Sequence, residues 1–374
     1  MKIKINQKSL LAALNKMNAF LRSSEPIILS VQNKCLYLYG GSIYTNVSSE
    51  VKITTKEEDT GLEIIEKSTI KINFGALLKA IRESEHELLE IKTSNLEELR
   101  LVISSSEFEI DIFAKEVEYN TGFSKGTRVG KFETVYLGYL FKAVNYSISK
   151  SRSRPLFNHV HFECSDSKLL IEATDTHCMA RHTSVTLPDN EFNLLIPEII
   201  SKNITKFFGR DGNILIETND KNICLKSEGL AIEWESTETK YPDTQRLIPN
   251  KEEMSIYEID KKLFKTALNR LLKLSDGGPR NTAIKLDFKG KSLQLITDTI
   301  GFSLFNYHQE IPVLSECPEL ILGVNPNYIL TAIKNFPKES EVVKIIVKNR
   351  NHPFIVESDV YSDTLHLITP IRLN

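Results

Sequence analysis

The 374 residues, 41% hydrophobic and 26% charged, exceed one ordinary core and predict two or three domains of about 100–200 residues each, with no collagenous, disordered or membrane signature. A formal net charge of −2 and a pI near 6.5 exclude tight electrostatic gripping of nucleic acid, which goes with a basic domain of pI above about 9. Five scattered cysteines, Cys35, Cys164, Cys178, Cys224 and Cys317, never form CxxC and argue against a disulfide framework or structural zinc; with no apolar run near the ~18 residues of a membrane span and no signal-like start, a cytoplasmic location is expected.

Along the chain the same paragraph is written three times. Each copy opens with a strand running into a helix whose apolar residues recur at three and four spacing. The first copy reads "IKINQKSLLAALNKMNAF" from Ile3, then strands "IILSVQNKCLYLYGG" with a turn at Gln32 to Lys34, a second strand and helix "TIKINFGALLKAIRES", and closing strands "ELRLVISSSEFEIDIF". The second reads "FETVYLGYLFKAVNYSI" from Phe132, "HVHFECSDSKLLIEATDT" with a turn at Ser165 to Lys168, "FNLLIPEIISKNITKFF" and "NILIETNDKNICLKSEG". The third reads "SIYEIDKKLFKTALNRLLKL" from Ser255, "AIKLDFKGKSLQLITDT" with a turn at Lys289 to Lys291, "ELILGVNPNYILTAIKNF" and "VVKIIVKNRNHPFIVES". Offsets of roughly 125 residues are one domain's worth. The expected fold is α+β: three similar domains, each with two helices and two sets of antiparallel strands, at 1–127, 128–252 and 253–374. The joints fall in turn-forming stretches, near Gly122 to Gly130 and around Pro249.

The stretch "LLIEATDTHCMARH" packs Asp175, His177, Cys178 and His182 together and has three chemical readings: an acid and base pair, a cysteine nucleophile, or a zinc site shared with His159 and His161. The repeat tests them. Aligned with "LQLITDTIGFSLFN" from Leu293, Thr-Asp-Thr recurs as Thr297, Asp298 and Thr299, whereas His177 and Cys178 face Ile300 and Gly301. Thr-Asp-Thr therefore predicts a turn, its side-chain oxygens holding backbone NH groups. Zinc lacks its tight ligand spacings, and adjacent residues of an extended strand point to opposite faces. "GKS" at Gly290 to Ser292 lacks the upstream glycine and following helix of a phosphate loop. No HExxH, EF-hand, GxSxG or GxGxxG signature appears, so an enzyme is not expected and no cofactor or metal is implied.

Cations gather in "SKSRSRP", where Lys150, Arg152 and Arg154 could meet phosphates, and on the helices as Lys8, Lys16, Lys79, Arg82, Lys142, Lys202, Lys206, Lys261, Lys265, Arg270 and Lys334. At the end, "LHLITPIRLN" alternates up to Pro370, which stops a strand. Ile371 and Leu373 then either fold onto their own domain or line a groove.

Taken together, the triple repeat, "SRPLFNHVHFE … LLIEATDTHCMA", "YPDTQRLIP" and "TPIRL" resemble the bacterial sliding clamps, the β subunits of DNA polymerase III, over essentially the whole chain. The resemblance implies a head-to-tail homodimeric ring around double-stranded DNA, bound without sequence preference. It further implies a peptide groove for the polymerase III α subunit, the clamp loader and other replication and repair proteins. The groove positions it carries over are Phe157, Thr174, His177, Met179, Pro242, Arg246 and Leu247, then Asn325, Tyr328, Pro370, Ile371, Arg372 and Leu373. Arg22 matches a DNA-contacting arginine, and Phe108, Ile110 and Leu274 match the subunit contact. The chain departs from the family where Thr176 to Met179 replace the usual Gly-His-Arg-Leu, and where Pro155 and Leu156 replace a pair of aromatics. Two alternatives stand beside this reading: a clamp-like scaffold with a different partner set, and a metal or cysteine enzyme built on the histidine-rich segment.

Overall fold

The computed structural model describes the chain except positions 33, 45–46, 57–60, 85–86, 96, 120–125, 186–189, 238, 275–282, 298–305, 361–362 and 374. Asp298, Thr299, Ile300 and Gly301, and the part of the first expected joint up to position 125, lie outside the described residues.

Helices form where the repeat predicts them, and a short polar residue starts most of them. They are α1 (Gln7–Met17), α2 (Phe74–Glu83), α3 (Thr134–Val144), α4 (Glu198–Phe208), α5 (Lys261–Lys273) and α6 (Pro326–Lys334). Asn6, Asn73 and Asp260, which end the preceding strands, and Asn325, which follows one, accept backbone NH groups of the first turns of α1, α2, α5 and α6, satisfying donors that the helix itself cannot. Four of the six strand-to-helix junctions thus carry Asn or Asp as the cap, whereas α4 follows Pro197 with no side-chain cap.

By Cα proximity the chain gathers into two compact units: 1–141 with 163–167 and 186–238, and 142–162 with 168–185 and 239–374. In the first, a thirteen-stranded sheet follows the order Thr127–Glu133, Asn213–Thr218, Asn222–Ser227, Leu230–Glu235, Val47–Lys56, Cys35–Tyr44, Pro26–Gln32, Thr69–Asn73, Glu109–Glu116, Leu99–Ser104, Leu88–Asn95, Lys2–Asn6 and Glu63–Glu66. Alternation buries Ile3 and Ile5, and Leu10, Leu14 and Met17 of α1 and Leu77 and Ile81 of α2 are buried as well, with α1 lying close to both that strand and α2. Burying each such side chain contributes about 1.5–3 kcal/mol. Gly138 of α3 lets α4 approach closely, because a Cβ there would stand 2.4 Å from the Thr205 methyl.

In the second unit the sheet runs His159–Ser165, Lys168–Thr174, Cys178–Val185, Thr364–Ile368, Phe354–Ser358, Val342–Val347, Ser255–Asp260, His308–Val324 and Ile284–Thr297. Its described pairings are antiparallel, and Met179 faces Leu367 in register. The turn at Ser165 to Lys168 is present, with Asp166 and Ser167 at positive φ. The break expected at Lys289 to Lys291 is instead a register irregularity inside Ile284–Thr297, where Gly290 takes φ 56 and its carbonyl accepts from the Cys317 thiol. A glycine in the left-handed region absorbs the shift without side-chain strain.

Candidate functional site

The Thr-Asp-Thr stretch is a turn. Asp175 Oδ1 accepts from the amides of His177 (2.9 Å) and Cys178 (2.7 Å), and Thr174 Oγ1 accepts from Thr176 N and donates to Cys178 O. Sequence reasoning missed the other half of Asp175: its Oδ2 accepts from the Tyr328 hydroxyl at 2.7 Å, tying the turn to α6. Thr176 sits at φ 76, a region that costs a β-branched residue strain.

This turn forms one wall of an apolar hollow of about 300 Å³. Met179 and Leu367 share a buried cluster with Ile346 and Ile355 and line the hollow, as do Phe157, Pro242, Leu247 and Pro353. Leu247 is 55% exposed, an apolar side chain left to solvent at the rim. Buried Glu172 is hydrogen-bonded to His161 Nδ1 at 3.0 Å and accepts from the hydroxyl of Thr244, one of the lining residues, with Arg181 Nε at 3.8 Å. Tyr241 stacks on His161 at 4.7 Å and meets Phe157 edge-on. Asp243 accepts from Gln245 N and Arg246 Nε, closing the one-turn helix Gln245–Leu247 that presents Leu247.

Of the predicted groove residues, Phe157, Thr174, His177, Met179, Pro242 and Leu247 meet in this hollow. Tyr328 instead lines a larger polar cavity of about 750 Å³ with Lys150, Arg154, Thr176 and, again, His177. Ile371, Arg372 and Leu373 line a third hollow. Three predicted residues line none of the three: Asn325 is buried as the cap of α6, Arg246 is exposed and paired with Asp243, and Pro370 is half-buried. Pro353, Leu367, Thr244 and Thr369 were missed as lining; the alternation of "TLHLIT" marked Leu367 as facing away from buried His366, but nothing local marked Pro353.

The tail is tied down by its backbone. Thr369 N donates to His177 O and Ile371 N to Gly323 O, each at 2.8 Å, so the tail is folded onto its own sheet while its side chains still line a hollow.

The chemistry of the histidine-rich segment is occupied elsewhere. His159 is bonded to Pro155 O, His161 to Glu172, and His182 to Thr364. Burial pushes the Cys178 thiol well up, against thiolate formation. Among the described residues no three His, Cys, Asp or Glu gather to hold a metal.

Arg22, Lys150 and Arg152 are exposed, whereas Arg154 donates to Thr176 Oγ1 at 3.1 Å and so belongs to the turn as well. Two helix cations are not simple wet residues: Lys261 Nζ donates to the carbonyls of Pro337 and Ser340, and half-buried Lys16 has its ammonium pKa lowered by burial. Ile110 lines a hollow of about 470 Å³ with Ala76 and Phe113. Phe113, 62% exposed beneath the Arg100 guanidinium, was missed there. Phe108 is half-buried on the same hairpin, and half-buried Leu274 caps α5.

Family models for the central and C-terminal domains of the DNA polymerase III beta subunit match residues 132–243 and 245–372. The chain belongs to this family. The beta sliding clamp of Streptococcus pneumoniae is 27% identical over 386 residues, covering 99% of both chains. Among solved structures, the DNA polymerase III beta chain of S. pneumoniae superposes with a TM-score of 0.87 at 24% identity, and the DNA polymerase sliding clamp of Bacillus subtilis with 0.87 at 19%, each over the full length of both chains. The beta-subunit fold of three repeated α+β domains is therefore the fold of this chain.

Proposed function

We propose that this protein is a DNA sliding clamp, a non-catalytic processivity factor that closes as a head-to-tail homodimer around duplex DNA. In this role it tethers the replicative polymerase and other replication and repair proteins through short peptides. The observation that carries this reading is a match covering 99% of the chain to a beta sliding clamp, with both family-model domains in sequence order. Near-neutral charge agrees with it. Close phosphate contacts release counterions and make binding tight and salt-dependent, which opposes free travel, whereas a closed ring needs only faint attraction. The three domains at 1–127, 128–252 and 253–374 supply the repeats of the ring. The apolar hollow with Met179, Leu247 and Leu367 takes the peptide anchor, the tail from Pro370 to Leu373 with Tyr328 extends the groove while Asn325 caps the helix that carries Tyr328, and Arg22, Lys150, Arg152 and Arg154 supply DNA contacts. The cytoplasm is where such a factor works.

The loaded protein is expected to stay on nicked circular DNA through a high-salt wash and to leave once the circle is linearised. Retention on the linear form would replace encirclement with adhesion and overturn the reading. A second reading, a clamp with a divergent partner set, is favoured by Thr176 at positive φ and Cys178 in the hollow's wall; the peptide titrations below separate the two.

A further inference from the structure

Beside the apolar hollow lies another of about 500 Å³ whose chemistry is different. Ile321, Ile371 and Leu373 give it apolar walls, and Lys285, Arg350 and Arg372 give it cations, with no acidic side chain in the lining. Ile321, on the strand His308–Val324, is 48% exposed. Gly323 is what lets the tail lie there, since a Cβ would stand 2.2 Å from Ile371 O and 2.8 Å from the Leu373 side chain.

Two segments run from one hollow into the other. Pro353 and Thr369 line the first, while Asn351 and Ile371 line the second, so the two linings lie two residues apart along both segments, at most about 7 Å of chain. A peptide whose apolar anchor fills the first hollow therefore passes the second within two to four residues.

We infer that the partners of this protein carry acidic residues two to four positions from their apolar anchor, and that Lys285, Arg350 and Arg372 receive those carboxylates while Ile321 packs against the intervening side chain. This rests on the groove reading above and adds the charge of the ligand. Three cations around partly apolar walls favour such a peptide over a bare phosphate chain, which has nothing to place against Ile321. Exposed cations act mainly through complementarity and are screened by salt.

The test uses the intact protein and two synthetic peptides with the same Leu-Phe anchor, one flanked on both sides by Asp and Glu, the other by Ser and Gln. The acidic peptide is expected to bind about fivefold tighter at 50 mM salt, with the advantage shrinking at 500 mM. The double variant Lys285→Glu, Arg350→Glu is expected to abolish that advantage while leaving the neutral peptide's affinity unchanged, with circular dichroism reporting that the fold is intact. Equal binding of the two peptides by the unaltered protein overturns the inference, as does loss of DNA retention by the variant without loss of acidic-peptide affinity, which assigns the cations to DNA. If neither peptide binds, the groove reading itself fails, an outcome distinct from both peptides binding equally.

Discussion

Asp175 holds two amides with one oxygen and the Tyr328 hydroxyl with the other, so one side chain shapes the turn and fixes it to α6. His366 illustrates a different use of burial. It is 1% exposed, packs between Tyr146 and Phe336, and is held neutral because desolvation lowers its pKa to about 3. Since an unfolded histidine titrates near 6.5, the unfolded chain binds the extra proton between these values. Stability is then complete above about pH 6.5 and falls with pH toward 3, by about 1.4 kcal/mol per pH unit from this residue. His159 and His182, also lowered by burial, add in the same direction. Thermal melts at pH 7 and pH 5 are expected to show a smaller drop for His366→Gln than for the unaltered protein, and an equal drop would remove His366 as the source.

At the scale of elements, the hollows are lined by ends: the turn whose Asp175 is bonded to Tyr328 of α6, the one-turn helix closed by Asp243, and the tail bonded to Gly323. The tail depends on Gly323. In Gly323→Ala the added methyl would meet Ile371 O at 2.2 Å, and overpacking of that kind costs about 1–3 kcal/mol. The tail is expected to lift, weakening an anchor peptide about tenfold while the far-ultraviolet dichroism stays that of the unaltered protein. Unchanged affinity would show that the tail takes no part in binding.

For the whole molecule, ring closure requires a heterologous contact that repeats by rotation. Ile110 and its exposed neighbour Phe113 are suited to one side of it and Leu274 to the other. Charge at both places, in Ile110→Lys with Leu274→Lys, is expected to yield monomers by light scattering, with retention on circular DNA lost in parallel. A persisting dimer mass would move the interface elsewhere.

Much was legible in residue order. Periodicity is a local signal, so the three strand-to-helix stretches were legible from Ile3, Phe132 and Ser255, and comparing Asp175 with its repeat identified the turn without coordinates. The groove was legible only in part, and chiefly through family resemblance, because its walls come from five separated stretches whose meeting is set by sheet register. Pro353 reaches the hollow because its strand lies beside Thr364–Ile368, and no local pattern records that neighbour.

By itself, then, the sequence determined the repeat, the α+β class and the reading of Asp175 as scaffold, since each depends on contacts a few residues long or on self-comparison. Tertiary structure alone decided that Glu172 bonds Thr244 in the lining of the apolar hollow, that Arg154 joins the turn, that Lys261 caps carbonyls, and that a cationic hollow lies two residues along the chain from the apolar one. These follow from packing across tens to hundreds of residues, where position in the chain says nothing about distance in space.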